Sequence, residues 1–368
     1  LVPGAQVGLS VAAHFGCPLV VTSHGADTRL RLRDRAGRRA ILNLGRRRIP
    51  VICVSETIRG ELANAGYPES LLQVVSNGMA LAKVHSGENP LVGRYAGKPV
   101  ILGVGNLKPT KGWDVLIEAL ALVRQTHPDV HGVIVGEGSE HRRLERLVQK
   151  RGMAGCLEMV GAKNPAETMR YMDACAVFCL PSWAEGFGIV YLEAMAHGKP
   201  VIAVEGQGIA PVVAGARAGL LVPPRNAAAT AAAIRRLLDH PDESLAMGHR
   251  GCQAVLHDFT WTHNAQQMVA VFRDLVKSAK EEPGAEAWTL AHVDFTVDQS
   301  VDRKLNRMAA TARALQLPMD FIVYSAVTAT GKTDHFRIRR LPDAGLGRSI
   351  AAKLQWPFRL MWAARELG

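Results

Sequence analysis

Two glutamates eight positions apart, Glu185 and Glu193, flank a Gly-Phe-Gly step formed by Gly186, Phe187 and Gly188. Carboxylates accept hydrogen bonds from hydroxyl groups. A glycine-rich turn that opens a helix offers free backbone amides and the positive end of the helix dipole, which together attract phosphate. If the whole span were helical, Glu193 would lie about 12 Å beyond Glu185. That spacing suits a ligand with phosphate at one end and hydroxyl-rich groups beyond it. The same spacing also arises on an ordinary solvated helix. The flanking sequence supplies the elements that would position these groups. Ala176 to Leu180 is an apolar run that reads as a buried strand, and Pro181-Ser182 is a turn. The helix carrying Glu193 closes at His197-Gly198, and Val201 to Val204 is the next buried strand.

Other candidate residues lie after strands in the same way. Lys111 lies in Gly105-Asn106-Leu107-Lys108-Pro109-Thr110-Lys111-Gly112, between the strand Val100 to Val104 and an amphipathic helix from Asp114 to Arg124. Taken alone it is an exposed loop lysine. His24 comes after the strand Pro18 to Thr22, and a lone histidine there is more often structural than functional. Gly136-Glu137-Gly138 ends the strand Val130 to Val135, but the third glycine and downstream acid of a dinucleotide site are missing. Ala326-x4-Gly331-Lys332-Thr333 mimics a phosphate loop. Its first glycine is alanine, however, and the residues after it are strand-like, so nucleotide hydrolysis is not expected there.

The run P-S-x-x-E-G-F-G-x-x-x-L-E-A-M-A-x-G-K-P-V-I from Pro181 to Ile202 resembles the donor-site motif of retaining glycosyltransferases of family four, which have the GT-B fold. The resemblance implies an α/β protein with two Rossmann-like domains whose parallel sheets face each other across a cleft. It implies that Glu185 meets the donor sugar, that Glu193 holds ribose hydroxyls, and that the amides of Gly186, Phe187 and Gly188 serve sugar and diphosphate. Ser23 to Asp27 is similar to the family's T-x-H-G-x-D turn, whose histidine, here His24, reaches the reacting sugar. Gly105 to Gly112 is similar to the family's G-R-L-x-x-x-K-G segment, in which arginine and lysine neutralise the diphosphate. Lys111 matches the lysine, Asn106 stands where the arginine would be, and Lys108 is the candidate replacement. The resemblance sets Gly136 in the donor cleft and Lys163, in the turn Gly161 to Asn164, beside the nucleotide base. Phe259-Thr260-Trp261 is similar to the aromatic step before the last helix. The implied activity moves a sugar from a nucleotide-sugar donor to a glycan or lipid-linked acceptor, in polysaccharide or glycolipid synthesis. No metal and no cofactor are expected. The alternative is a catalytically incomplete module that binds a sugar nucleotide or a membrane.

Composition sets the outer limits. The 368 residues are enough for two cores, and 48% hydrophobic with 21% charged is ordinary for a globular chain. The net charge of +11 implies an anionic partner. No apolar run approaches a membrane span and no signal peptide is visible, so a cytoplasmic placement is expected, peripheral at the inner membrane face. Six cysteines, scattered mostly in apolar runs, read as reduced thiols. Arg29 to Arg48 is dense in arginine, with acidic relief only from Asp34. It reads either as a solvated helix face or as a contact for anionic lipid headgroups or an anionic acceptor. Nucleic acid is not expected as a partner, because the interleaved aromatics of a stacking platform are missing.

The pieces come in an unusual order. Residues 1–80 resemble the second half of an N-terminal domain, 98–278 a donor-binding domain, and 285–368 the first half of an N-terminal domain. The hinge is expected between Ala80 and Gly97, and Glu281-Glu282-Pro283-Gly284 reads as a linker. After it a strand is expected at Thr289 to Phe295, a helix at Val301 to Leu317, strands at Phe321 to Ser325 and His335 to Arg339, and a helix at Ile350 to Leu367. The glycine pair that family members carry after their first strand is not found near Asp294 to Ser300. Either the chain is circularly permuted, or its two ends belong to tandem copies. The first arrangement is favoured, because each half alone leaves a parallel sheet edge uncovered.

Overall fold

A computed structural model describes residues 5, 8–9, 12–13, 19–79, 89–280, 289–294, 320–329 and 333–340. The helices expected over 301–317 and 350–367, the linker at 281–284, and 80–88 of the expected hinge lie outside them. So do 295–300, part of the stretch where family members carry the glycine pair. The chain divides into two units.

The first unit comprises 1–54, 58–75 and 265–368. Its sheet holds β1 (Leu19–Ser23), β2 (Val51–Cys53), β3 (Leu72–Val74), β10 (Thr289–Asp294), β11 (Asp320–Ala329) and β12 (Thr333–Arg340). The order is β12-β11-β10-β1-β2-β3. Neighbours run parallel except β11 and β12, so β10, from far along the sequence, lies directly beside β1. β1 is buried along its whole length, as a β-branched strand covered on both faces must be. Ala329 pairs with Thr333 across an antiparallel hairpin. The Gly-Lys-Thr run therefore leads into a strand and not into the helix that a phosphate loop requires.

Two helices come after β1. α1 (Ala26–Arg33) starts at Gly25, whose φ of 99° is left-handed, and α2 (Arg35–Arg46) is capped by Asp34, which accepts from the Gly37 amide at 2.6 Å. α2 buries Gly37, Ile41, Leu44 and Gly45 and turns its arginines outward. Ile41 and Leu44 join Ile58 and Leu62 of α3 (Glu56–Asn64), with Val21 and Tyr67, in the core. Each fully buried Ile or Leu contributes about 1.5–3 kcal/mol.

The second unit comprises 55–57 and 76–264. α4 (Pro90–Arg94) precedes a sheet of β4 (Val100–Val104), β5 (His131–Val135), β6 (Leu157–Met159), β7 (Val177–Cys179), β8 (Val201–Val204) and β9 (Gly219–Val222). All pairs are parallel, in the order β6-β5-β4-β7-β8-β9. The helices are α5 (Trp113–Val123), α6 (His141–Lys150), α7 (Pro165–Ala174), α8 (Ile189–Ala196), α9 (Ala210–Ala216), α10 (Ala227–Asp239) and α11 (Pro241–Asp258). α7 opens with a reciprocal capping box between Asn164 and Glu167. From β4 the chain winds one way to β5 and β6, then returns to β7 beside β4 and winds the other way. That reversal sets the loops leaving β4 and β7 side by side, at the switch point where open α/β sheets bind ligands.

The fold class is the expected one: α/β, with two Rossmann-like units. By compactness the divisions fall at Val75–Ser76 and at Asn264–Ala265. Part of the expected hinge is α4. The last helix, α12 (Trp261–Lys280), is divided between the units: Asn264 donates to the Ser76 carbonyl at 2.7 Å within the second, whereas Ala265 onward belongs to the first.

Candidate active site

The loops leaving β4 and β7 are laced together. The Thr110 carbonyl accepts from the Ser182 hydroxyl at 3.1 Å and from the Trp183 amide at 3.0 Å. Gly112, with φ 71°, opens α5 so close to this strand that a Cβ would stand 2.2 Å from the Pro181 carbonyl oxygen. Gly112→Ala is expected to destabilise the protein by more than about 2 kcal/mol, combining the left-handed penalty with a backbone clash. A urea melt measures this, and an unchanged midpoint would contradict it.

This lacing brings together two residues that are 74 apart in sequence. The Lys111 ammonium donates to Glu185 Oε2 at 2.5 Å. Their side chains are 21% and 16% exposed, so the pair is partly shielded from water. The Glu185 amide is held by Gln207 Oε1 at 2.9 Å, and Gly208 lies against the Gly186 carbonyl, where a Cβ would be 1.9 Å away. Gly188, with φ 91°, starts α8, and Tyr191 one turn on is fully buried with its hydroxyl donating to the Leu180 carbonyl. α8 begins only at Ile189, so Glu185 precedes the helix in a turn. The 12 Å offset expected from continuous helix does not apply.

Gly186, Phe187 and Gly188 are all buried. Among the described residues, none of their backbone amides donates a hydrogen bond. Buried unpaired amides are rare, and three in a row at a helix start are able to receive an anion. The Phe187 ring is 3% exposed and packs on Phe259 at 6.1 Å between centroids, so only its amide is left for a ligand.

Glu193 projects from α8, half-buried, and among the described residues its carboxylate has no hydrogen-bond or ion-pair partner. Loss of solvent pushes its pKa up to about 7. The loops after β4 and β5 also interlock. Gly105 donates to Val135, and the Gly105 carbonyl approaches Gly136 so closely that a Cβ would lie 2.0 Å from it. Asn106 is exposed, its carbonyl accepting from buried Trp113 at 3.0 Å, and Lys108 is exposed beside it. Lys163 is half-buried in the turn after β6, two strands from β4. His24, half-buried after β1, belongs to the first unit, whereas the residues above belong to the second.

Gln207 and Trp183 went unremarked in the sequence. The pair Gly206 and Gly208 after a buried strand was the signal for Gln207. Trp183 carries Arg225 over its ring at 4.6 Å, a contact that no local pattern announces.

Residues 91–253 match the profile described as glycosyl transferases group 1, and residues 1–83 match glycosyltransferase family 4. A D-inositol 3-phosphate glycosyltransferase of Corynebacterium urealyticum is 33% identical over 191 residues, 50% of this chain and 45% of that protein. The chain spans about half the length of the first such relatives, 45% and 49%. HepE of Anabaena in complex with UDP has a TM-score of 0.66 at 23% identity, covering 74% of this chain and 77% of that one. Sucrose-phosphate synthase of Thermosynechococcus elongatus has a TM-score of 0.63 at 26% identity, covering 73% and 76%. The motifs, the two matching profiles and the shared fold agree: the chain belongs to the family-four glycosyltransferases with the GT-B fold.

Proposed function

We propose that the protein is a retaining glycosyltransferase that moves a sugar from a nucleotide-sugar donor to the hydroxyl of a glycan or lipid-linked acceptor. The observation that carries this reading is the row of unpaired amides at Gly186, Phe187 and Gly188 beside the Lys111–Glu185 pair. A sugar diphosphate needs both halves of that arrangement. Lys111 and the amides stabilise negative charge growing on the leaving diphosphate, which is where the barrier is lowered. Glu185 accepts from hydroxyls of the transferred sugar and Glu193 from those of the ribose. The role of His24 at the reacting sugar rests on the resemblance of its turn.

No second carboxylate is assigned to a double displacement. The acceptor oxygen therefore attacks the anomeric carbon on the face that the diphosphate leaves. The bond to the phosphate oxygen breaks as the new glycosidic bond forms, and that phosphate oxygen takes the acceptor proton. Incubation with UDP-glucose and other nucleotide sugars, followed by assay of released nucleoside diphosphate and NMR of the product anomer, tests the reading. Release with a retained anomer is expected. An inverted anomer would sink the retaining mechanism, and neither binding nor release with any donor would sink the activity.

A membrane-borne acceptor fits the basic helices of the first unit. Arg31, Arg33, Arg35, Arg38, Arg39, Arg46, Arg47 and Arg48 are exposed, and Leu30 among them is 67% exposed. Among the described residues no helix is long and apolar enough to cross a membrane. Each arginine near an anionic surface contributes about 1 kcal/mol, so replacing Arg31, Arg35 and Arg39 with Ala is expected to weaken binding to phosphatidylserine vesicles about a hundredfold. Cosedimentation measures this, and wild-type protein that ignores such vesicles at low salt would discard the idea.

A further inference from the structure

Arg225 holds a left-handed backbone, φ 56°, that a non-glycine residue rarely adopts. It comes after Pro223 and Pro224, which stiffen the exit from β9, and precedes Asn226, which caps α10 by accepting from the Ala229 amide at 2.9 Å. α10 in turn packs along α5. Strained backbone persists where its surroundings determine it, and here the Arg225 guanidinium is stacked on Trp183. The Trp183 amide is bonded to Thr110, next to Lys111, and Trp183 lies two residues before Glu185. The stack thus joins the start of α10 to both loops that carry the paired charges.

We propose that Arg225 is a positioning residue for sugar transfer: its guanidinium, stacked on Trp183, braces the loops that hold Lys111 against Glu185. The kinetic part of this rests on the activity proposed above, and the bracing itself does not. The contact is cation over aromatic face, so it depends on the Trp183 ring as much as on the charge. Because glycine accepts a positive φ freely, Arg225→Gly removes the brace while relieving the backbone. A residue kept only for stability and a residue kept for positioning then give opposite results.

For Arg225→Gly, the melting temperature is expected to stay level or rise. Hydrogen exchange at the Trp183 and Glu185 amides is expected to accelerate severalfold, and donor kcat/KM to fall about tenfold, since small displacements of positioned groups are costly. Trp183→Ala should reproduce the exchange and kinetic losses, and Arg225→Lys should recover part of both. Unchanged exchange at both amides in Arg225→Gly would overturn the brace. A fall in melting temperature that accounts for the lost activity would do so as well. Should the wild type transfer no sugar, the exchange measurements still decide the bracing, and the failed reading is then the activity alone. If the wild type is active and Arg225→Gly matches it with accelerated exchange, the positioning role falls while the activity stands.

Discussion

Lys111→Ala is expected to lower kcat by about 10²–10³-fold with UDP-glucose or whichever donor turns over, the range seen when one preorganised donor to a developing oxyanion is removed. On the proposed reading the effect falls on kcat, because the charge that Lys111 would meet is largest as the diphosphate departs. The same substitution leaves the partly shielded Glu185 carboxylate without its ammonium, which costs about 1–3 kcal/mol of stability. The two consequences can be separated. Lys111→Ala combined with Glu185→Gln removes the orphaned charge, so the double variant should regain stability while its turnover stays well below that of Glu185→Gln alone. Steady-state kinetics and thermal melts on wild type, single and double variants give the comparison. A fall in kcat of less than about threefold in Lys111→Ala would remove the lysine from the mechanism. Recovery of turnover along with stability in the double variant would show that its role is structural.

That pair illustrates which features could be read in the chain and which could not. The strands, the glycine turns and the helix starts at Gly112 and Gly188 were legible, because burial and left-handed backbone leave marks in local sequence. The proximity of Lys111 and Glu185 was supplied only by resemblance. It depends on β7 lying beside β4, although β5 and β6 come between them in sequence. Composition misled at the arginine-rich stretch. Asp34 read as relief for the positive charge, but its carboxylate caps α2, and Arg29 finds its partner in Glu61 at 2.8 Å, 32 residues away. Glu193 could be named from spacing, but its burial could not, since that requires knowing which face of α8 packs. Arg225 gave no signal at all, because neither a positive φ nor a stack on a distant ring is written in its neighbours.

The burial of Glu193 leads to a pH dependence with a definite sign. Its carboxyl titrates near 4.5 when unfolded and is pushed up to about 7 in the folded protein by desolvation. Between those values the folded protein keeps a proton that the unfolded chain has released. This residue's contribution to stability is therefore fully present below about pH 4.5 and is lost as pH rises through about 7. At about 1.36 kcal/mol for each pH unit separating the two values, the difference is on the order of 3 kcal/mol. Glu193→Gln should cancel that slope, leaving the variant more stable than wild type at pH 8 by a similar amount. Binding is expected to move the other way. A carboxylate accepts from ribose hydroxyls more strongly than its protonated form, which keeps only weaker acceptor capacity, so affinity for the donor's nucleoside diphosphate, probed with UDP, should weaken severalfold as pH falls from 8.5 to 5.5. Glu193→Gln should bind UDP weakly with no such trend. Urea melts and titration calorimetry at pH 5.5, 7 and 8.5 measure both slopes. Parallel stability profiles for wild type and variant would refute the desolvated carboxyl. Equal UDP affinity at pH 8.5 would refute its proposed hold on the ribose, and with it the proposed order in which this segment meets the donor: phosphate at the Gly186 to Gly188 amides, ribose further on along α8.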